Sequence, residues 1–504
     1  MSKKNRANKK SKKAKSPAGS SQLRAGLNAA KYSTDTWQHW AFTRPETPAA
    51  AVRPKDRAEA RTKAREEYLN NPYAAGFADT FALYLVGTGP RLRFRGAGAG
   101  TDPELIREVE LLWRDWTDGV RLAKTLRLGV KSLVVDGELF LLESANPKRP
   151  IWGVNYQVID PQRIGNPNGK PWSPRMQDGI FFDEFGNVEA FCLYTIPETD
   201  CTFYDSGRYQ VISADNLHYA FKENLPEVTR GWSWFAPVLE SMGRLRDYED
   251  GVIEAAKSAA NTFATIETQG GFVDGTSALT IGEDTPYYPW TCHTPQRNKI
   301  IQLPPETTLK AFQPAQPTTN VPEFISNQVA RLGRGMGLTR NRATGSSHEY
   351  NFSSGKLDSQ PFEMLIQCLQ RDLLELDVMD KLFSDFYVGI TPRLVMKYGD
   401  APTLEDADWS WRWPKPPLVD EEAQARADAI RVKSYQATIR EIWEDRHPDS
   451  RFEEVKAEID ADRKAYPEIY GAAPDTAEQV APPAEGTRIN EPKAPEIGKQ
   501  RGEE

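Results

Sequence analysis

The sequence is poor in the residues that metal centres, disulfide frameworks and membrane spans require. Its 504 residues hold four cysteines, Cys192, Cys201, Cys292 and Cys368, and none of them forms a Cys-x-x-Cys pair. Cysteines so far apart fit a reducing compartment and argue against a disulfide scaffold or a zinc site. The five histidines, His39, His218, His293, His348 and His447, are scattered and share no ligand spacing, so no metal and no other cofactor is expected. No stretch approaches the ~18 consecutive apolar residues of a spanning helix, so no membrane association is expected. The first residues lack the apolar core of a secretory signal.

Catalytic motifs are missing too. There is no Gly-x-x-x-x-Gly-Lys-Ser/Thr loop; the nearest string, GNPNGKP from Gly165, has the wrong spacing and no hydroxyl for magnesium. Gly-x-Ser-x-Gly and His-Glu-x-x-His are absent, and His348-Glu349 stands alone in a polar stretch. Asp136, Glu138 and Asp160 could form a carboxylate metal site of the nuclease type. Turn chemistry accounts better for Asp136, and Glu138 reads as a charge flanking a strand. The expectation is therefore a protein that is not an enzyme, with a metal-dependent nuclease as the competing reading.

What is present is uneven charge and many aromatics. Lys and Arg number 64 against 71 Asp and Glu, a net charge of −7. Residues 1–15 carry Lys and Arg without an acid, so the remaining body is more acidic than the total suggests. Mean hydropathy is −0.62, polar for a compact enzyme and closer to an assembled protein with solvated tails. Nine of the thirteen tryptophans fall in groups at short spacing, Trp37/Trp40, Trp113/Trp116, Trp232/Trp234 and Trp409/Trp411/Trp413. Such groups belong either in a core or in subunit interfaces.

Patterning gives an α+β chain. Residues 56–86 read as helical, with Pro72 restarting a helix whose Tyr73, Phe77, Phe81 and Tyr84 form an apolar stripe. A helix follows Pro103. Asp136-Gly137 between two apolar runs predicts a hairpin. Short strands are expected near 154–160, 179–183, 188–195 and 209–219. Residues 236–268 carry the longest helical period, with Val238, Met242, Leu245, Val252, Ala256 and Phe263 on one side. A helix of that length, apolar on one face, usually packs on equivalents from other subunits. A second long helix is expected over 356–387, with a kink or late start at Pro361. WSWRWPKPP at 409–417 reads as a rigid connector, and capping patterns at Asp420 and Thr438 begin further helices. Arg331, Arg334, Arg340 and Arg342 lie within twelve positions, beside a flexible loop containing His348. These residues suit phosphate contacts without sequence readout, or a solvated charge run.

Several strings together resemble the lambda-type portal proteins of tailed bacteriophages. They are RTKAR at 61–65, NNPYAAG at 70–76, VGTG at 86–89, WRDW at 113–116 and DGELF at 136–140. VIDPQRI at 158–164, RGWSWFAPVL at 230–239, NFSSGK at 351–356 and the 409–417 connector continue the order. The resemblance implies a portal fold: a mixed α/β wing, long stem helices, a small clip and a helical crown, assembled as a ring of twelve. It places the wing at 22–235 and 356–415, the stem at 236–268 and 321–337, and the clip at 269–320. A tunnel loop falls at 338–355 and the crown at 416–470. Composition leaves 1–21 and 471–504 as disordered tails. The implied role is the DNA packaging and ejection channel at one capsid vertex of the virion, assembled in the host cytoplasm. The implied partners are the terminase large subunit, a head-completion or adaptor protein, the major capsid protein, scaffold and double-stranded DNA. A non-portal virion or adaptor protein is the remaining alternative.

Overall fold

A computed structural model describes residues 52–94, 103–146, 148, 154–196, 204–261, 264–268, 307–311, 320–348, 350–399, 409–415, 421–447 and 452–466. The expected tails at 1–21 and 471–504, Trp37 and Trp40, Phe263, Asp420 and most of 269–320 lie outside them. The chain divides into two compact units, Met1–Pro417 and Leu418–Glu504.

Among its described residues the first unit opens with helices α1 (Pro54–Asn70) and α2 (Pro72–Leu85). The break between them is chemical. Asn71 is extended, its side chain accepts the Tyr73 N–H at 3.0 Å, and Pro72 occupies the first turn, where its missing N–H costs nothing. Helix α2 buries Ala74, Phe77, Ala78, Phe81, Ala82 and Leu85. Strand β1 (Arg91–Phe94) follows, then α3 (Pro103–Val120) and α4 (Leu122–Val135).

The hairpin expected at Asp136-Gly137 is not formed. The apolar run before it is helical: Leu122, Leu126, Val130 and Leu133 of α4 are buried at three- to four-residue spacing. The positive φ of Gly137, 93°, closes that helix instead, and its N–H reaches the Ser132 carbonyl at 3.1 Å. Helix end and hairpin turn need the same backbone conformation, so the dipeptide alone does not separate them.

Strand β2 (Glu138–Ala145) is the centre of a three-stranded antiparallel sheet with β3 (Val154–Ile159) and β8 (Leu217–Phe221) on either side. A second sheet runs β4 (Met176–Gln177), β5 (Ile180–Phe182), β6 (Val188–Thr195) and β7 (Asp205–Ser213). The single strand expected over 209–219 is two strands in different sheets, β7 and β8, because Ser213–Asn216 turns with a 3.1 Å backbone bond. Phe140, Ile159, Ile164, Ile180, Phe191, Leu193 and Leu217 form a core cluster drawn from both sheets and the turn after β3.

The long helix expected over 236–268 is shorter at both ends. Helix α5 covers Leu239–Asn261, about 35 Å. Ala264–Thr268 is strand β9, paired antiparallel with β10 (Thr307–Ala311). Thr265, Ile266 and Thr268 are β-branched, which favours the pleated backbone. Helix α6 (Val321–Met336) ends at Gly337 and is followed by the short α7 (Arg340–Thr344).

The second long helical path starts earlier and ends later than expected. Helix α8 (Phe352–Leu369) begins at a reciprocal cap between Asn351 and Ser354. It accommodates Pro361, passes into a π-helical segment at Gln370–Met379, and continues as α9 (Asp380–Tyr398). The irregularity is thus a π segment well after Pro361. The expected connector is partly strand: β11 (Trp409–Arg412) pairs antiparallel with β1, Leu92 opposite Trp411.

Described tryptophans mostly serve the core. Trp113, Trp116, Phe383, Phe386 and Trp411 form one aromatic cluster, with Trp113 centroids 5.0 Å from Phe386 and 5.3 Å from Trp411. The indole N–H groups of Trp409 and Trp411 donate to Asp380 Oδ1 at 3.2 and 2.8 Å, and that of Trp413 to Glu375 Oε1 at 2.7 Å. Trp172 is the exposed exception.

The second unit has three described helices, α10 (Glu421–Lys433), α11 (Ile439–Arg446) and α12 (Phe452–Ala465). Thr438 caps α11 through the Glu441 N–H at 3.1 Å, as its spacing predicts. Buried Asp428 pairs with Arg446 and Arg431 inside this unit.

Candidate functional site

In the first unit, charge gathers in a buried ion-pair network and in the arginine-rich segment after α6.

The network is built around Glu138, the first residue of β2. Its side chain is fully buried and accepts five hydrogen bonds. They come from Arg230 Nε (2.5 Å) and Nη2 (2.8 Å), Arg61 Nη2 (2.9 Å), the Tyr219 hydroxyl (2.9 Å) and the Gly231 N–H (3.0 Å). Burial alone pushes this carboxyl up; Arg230, then Arg61 and Arg57, override it and hold it down at about 2. Arg230, itself buried, also donates to the carbonyls of Asp178 (2.6 Å), Ile164 (3.2 Å) and Pro161 (3.3 Å).

One helical turn along α1 from Arg61, Arg65 extends the network. It grips Asp136 through Nε at 2.7 Å and Nη2 at 3.0 Å, and Asp160 through Nη2 at 2.6 Å. The Tyr204 hydroxyl and the Gln162 N–H donate to Asp160 at 2.7 and 2.9 Å. Burial pushes the Asp160 carboxyl up, and the Arg65 bond reverses that to a net lowering. Arg57, another turn earlier, pairs with Asp178. Arg57, Arg61 and Arg65 thus reach across from one face of α1. The glycines beside these groups permit the contact: a Cβ on Gly137 would lie 2.1 Å from the Trp232 backbone, and one on Gly231 2.1 Å from the Gly137 carbonyl.

The carboxylates of the nuclease reading, Asp136, Glu138 and Asp160, are therefore all held by guanidinium groups. Glu138 is a buried hub, not a charge flanking a strand. Among the described residues no group of three or more His, Cys, Asp or Glu is arranged to hold a metal. Nor is any helix among them long and apolar enough to cross a membrane. The sequence motifs RTKAR, DGELF, VIDPQRI and RGW, separate along the chain, meet in this one network. The legible signal was a pair of arginines at i and i+4 on a helix, with acids bordering apolar strands.

The arginine segment is more ordered than a loop. Gly337, φ 96°, ends α6, and Leu338 N–H returns to the Gly333 carbonyl at 2.8 Å. Helix α7 then packs on α6, with Ala343 so close that a Cβ on Gly333 would stand 2.3 Å from it. Because α8 begins at Phe352, the irregular part of the expected 338–355 loop reduces, among the described residues, to Leu338 and Thr339, to 345–348, and to Tyr350 and Asn351. Arg340 Nη1 donates to Asn327 Oδ1 at 2.9 Å, and the Arg342 guanidinium stacks 4.7 Å over Tyr84 of α2. Arg331 donates to Gln328 at 3.2 Å. Arg331, Arg334 and His348 are exposed, and the His348 N–H bonds Ser346 Oγ at 3.3 Å. Arg340 and Arg342 thus sit together on a helix anchored to α6 and α2.

Residues 34–370 match a family model described as phage portal protein, lambda family. No curated protein matches the chain. Among solved structures the chain is similar to one from the neck of a native GTA particle computed with C12 symmetry. That likeness has 12% identity and a TM-score of 0.41, over 75% of this chain and 89% of the other. It is also similar, at 12% identity and TM-scores of 0.39 and 0.38, to chains from the virion of a native gene transfer agent particle and from the neck of an empty GTA particle computed with C6 symmetry. Both cover 75% of this chain and 89% of theirs.

Proposed function

The chain belongs to the lambda family of phage portal proteins, and from that premise we infer that its copies close into a ring of twelve at one vertex of a capsid. The ring is the conduit through which double-stranded DNA is packaged and later released. The observation that carries this reading is the family match over residues 34–370. Geometry adds support. Helix α5 buries Leu239, Met242 and Leu245 at its start, but Tyr248 and Ile253 further on are 39% and 49% exposed. An apolar face that leaves its own core suits packing between subunits.

In this reading α5 and α6 form the stem, and the β9–β10 ribbon between them belongs to the clip. The clip docks the terminase large subunit and afterwards a head-completion protein. The sheets, α1–α4 and the α8–α9 path form the wing, towards capsid protein and scaffold, and α10–α12 the crown. The ring sits in the virion after assembly in the host cytoplasm. It guides DNA and performs no chemistry; hydrolysis of ATP falls to the terminase. An acidic body favours sliding, because like charge keeps the duplex from sticking. Arg340 and Arg342, with Arg331, Arg334 and His348 nearby, repeat around the channel as a basic collar that holds backbone phosphates without reading sequence.

Negative-stain microscopy of the purified chain should show rings with a central channel. Changing Arg340 and Arg342 together to Ala should leave the rings intact and lower retention of packaged DNA. Normal retention of full-length DNA at low and high salt would remove the collar; a folded but strictly monomeric protein would remove the ring.

A further inference from the structure

A cavity of about 300 Å³ opens between the turn after α2 and the joint of α3 with α4. Four cations line it, Arg91, Arg121, Lys124 and Arg127, against one acid, Asp118. This is a concave, cationic place on a chain whose net charge is −7. Two of the cations are held by the protein: Arg91 Nη1 lies 3.5 Å from Asp118 Oδ1, and Arg127 donates to the Gly87 carbonyl. Arg121 and Lys124 are exposed, and neither has a side-chain partner among the described residues. Arg121 is also the single residue between two helices, at φ 56° and ψ 44°. A residue with a Cβ pays about 1–2 kcal/mol there, which glycine avoids. The chain places a long cation at the cavity edge where the backbone alone favours glycine.

The geometry points to an anion site that takes a phosphate group, held by Arg121 and Lys124 within the cavity that Arg91 and Arg127 preset. A carboxylate is satisfied by one guanidinium fork, whereas a phosphate carries more acceptors and more charge, matching several convergent cations. The first turn of α4 lines the same cavity, and its positive end adds to the attraction without being its basis. The exposed Thr88 borders the cavity as a neutral donor. The phosphate belongs either to a nucleic-acid backbone or to a free phosphate. The site is distinct from the arginine segment of α6 and α7 and does not rest on the ring reading.

The test uses the full chain in phosphate-free buffer. Inorganic phosphate is titrated calorimetrically, and a short DNA duplex is titrated by fluorescence anisotropy. Wild type should bind phosphate saturably. Arg121→Gly combined with Lys124→Ala should weaken that binding roughly tenfold or more, the loss of charge-assisted contacts. Its melting temperature should hold or rise, because glycine suits the left-handed position. If phosphate displaces the duplex, and the variant loses duplex affinity with a shallower salt dependence, the group is a backbone phosphate. If duplex binding is unchanged, the group is free phosphate. Lys124→Gln alone, which leaves the joint untouched, should give a smaller loss in the same direction. The site is overturned if wild type binds no phosphate and the variant binds duplex like wild type, or if the variant binds phosphate as wild type does.

Discussion

At the scale of single residues, Glu138 has the most depending on it. Its carboxylate faces Arg230 and Arg61 in the protein interior, so removing it leaves two buried guanidinium groups short of a counter-charge. Breaking a buried pair this way costs about 3–5 kcal/mol, more than the pair contributes over an apolar replacement. Glu138→Gln should therefore destabilise the protein by roughly that amount in urea unfolding. The pH dependence has a definite sign. The folded carboxyl sits at about 2, below the unfolded value of about 4.3. Its contribution is complete above the unfolded value and is lost as pH falls from there towards 2. The variant should lack this part of the acid limb. A loss under about 1 kcal/mol with an unchanged acid limb would mean the network does not anchor α1 to the sheet. The sequence showed each of these residues but not their meeting. Arg61 and Asp136 are 75 positions apart, and periodicity cannot join them.

At the scale of elements, local chemistry was legible where one segment decides its own conformation. The restart at Pro72 and the Thr438 cap follow from residues within a few positions. Reading failed where a dipeptide serves two structures, as at Asp136-Gly137, and where register depends on a distant partner. The end of α5 is such a case, since β9 is fixed by β10, across residues 269–306. Helix α5 is joined to α1 and α2 by two polar contacts. The Tyr73 hydroxyl donates to Glu249 Oε1 at 2.8 Å, and Arg246 lies 3.2 Å from Glu67. Burial and Glu249 together push the Tyr73 phenol up to about 12, so it stays a donor at neutral pH. Glu249→Ala should cost about 1 kcal/mol, the net worth of one hydrogen bond. Amide exchange should speed up beyond Arg246 and stay slow near Met242, which is fully buried. Equal acceleration along the whole helix would mean that its start, too, relies on the Tyr73 contact.

At the scale of the whole molecule, the question is which apolar surface a single copy leaves uncovered. Leu357 and Met364 are seven residues apart on α8, hence on one face, and are 66% and 63% exposed. Neither belongs to the core that Phe362, Ile366 and Leu369 build from the opposite side. In the ring proposed above, the occupant of such a face is the neighbouring copy, and obligate interfaces are rich in side chains of this kind. Changing Leu357 and Met364 together to Lys adds two charges to that face. In an isolated copy each change is a surface substitution, worth within about 0.5 kcal/mol, so secondary structure and melting of the subunit should be nearly unchanged. In a ring the same charges are buried without partners, which costs several kcal/mol per interface and repeats at every subunit contact. Light scattering should therefore show the wild type as a large closed assembly and the double variant as monomers or short open arcs. Glu138→Gln, by contrast, should lower subunit stability first and assembly only as a consequence. If the double lysine variant forms rings as readily as wild type, the α8 face lies outside the interface, and the exposed part of α5 must supply the contact instead.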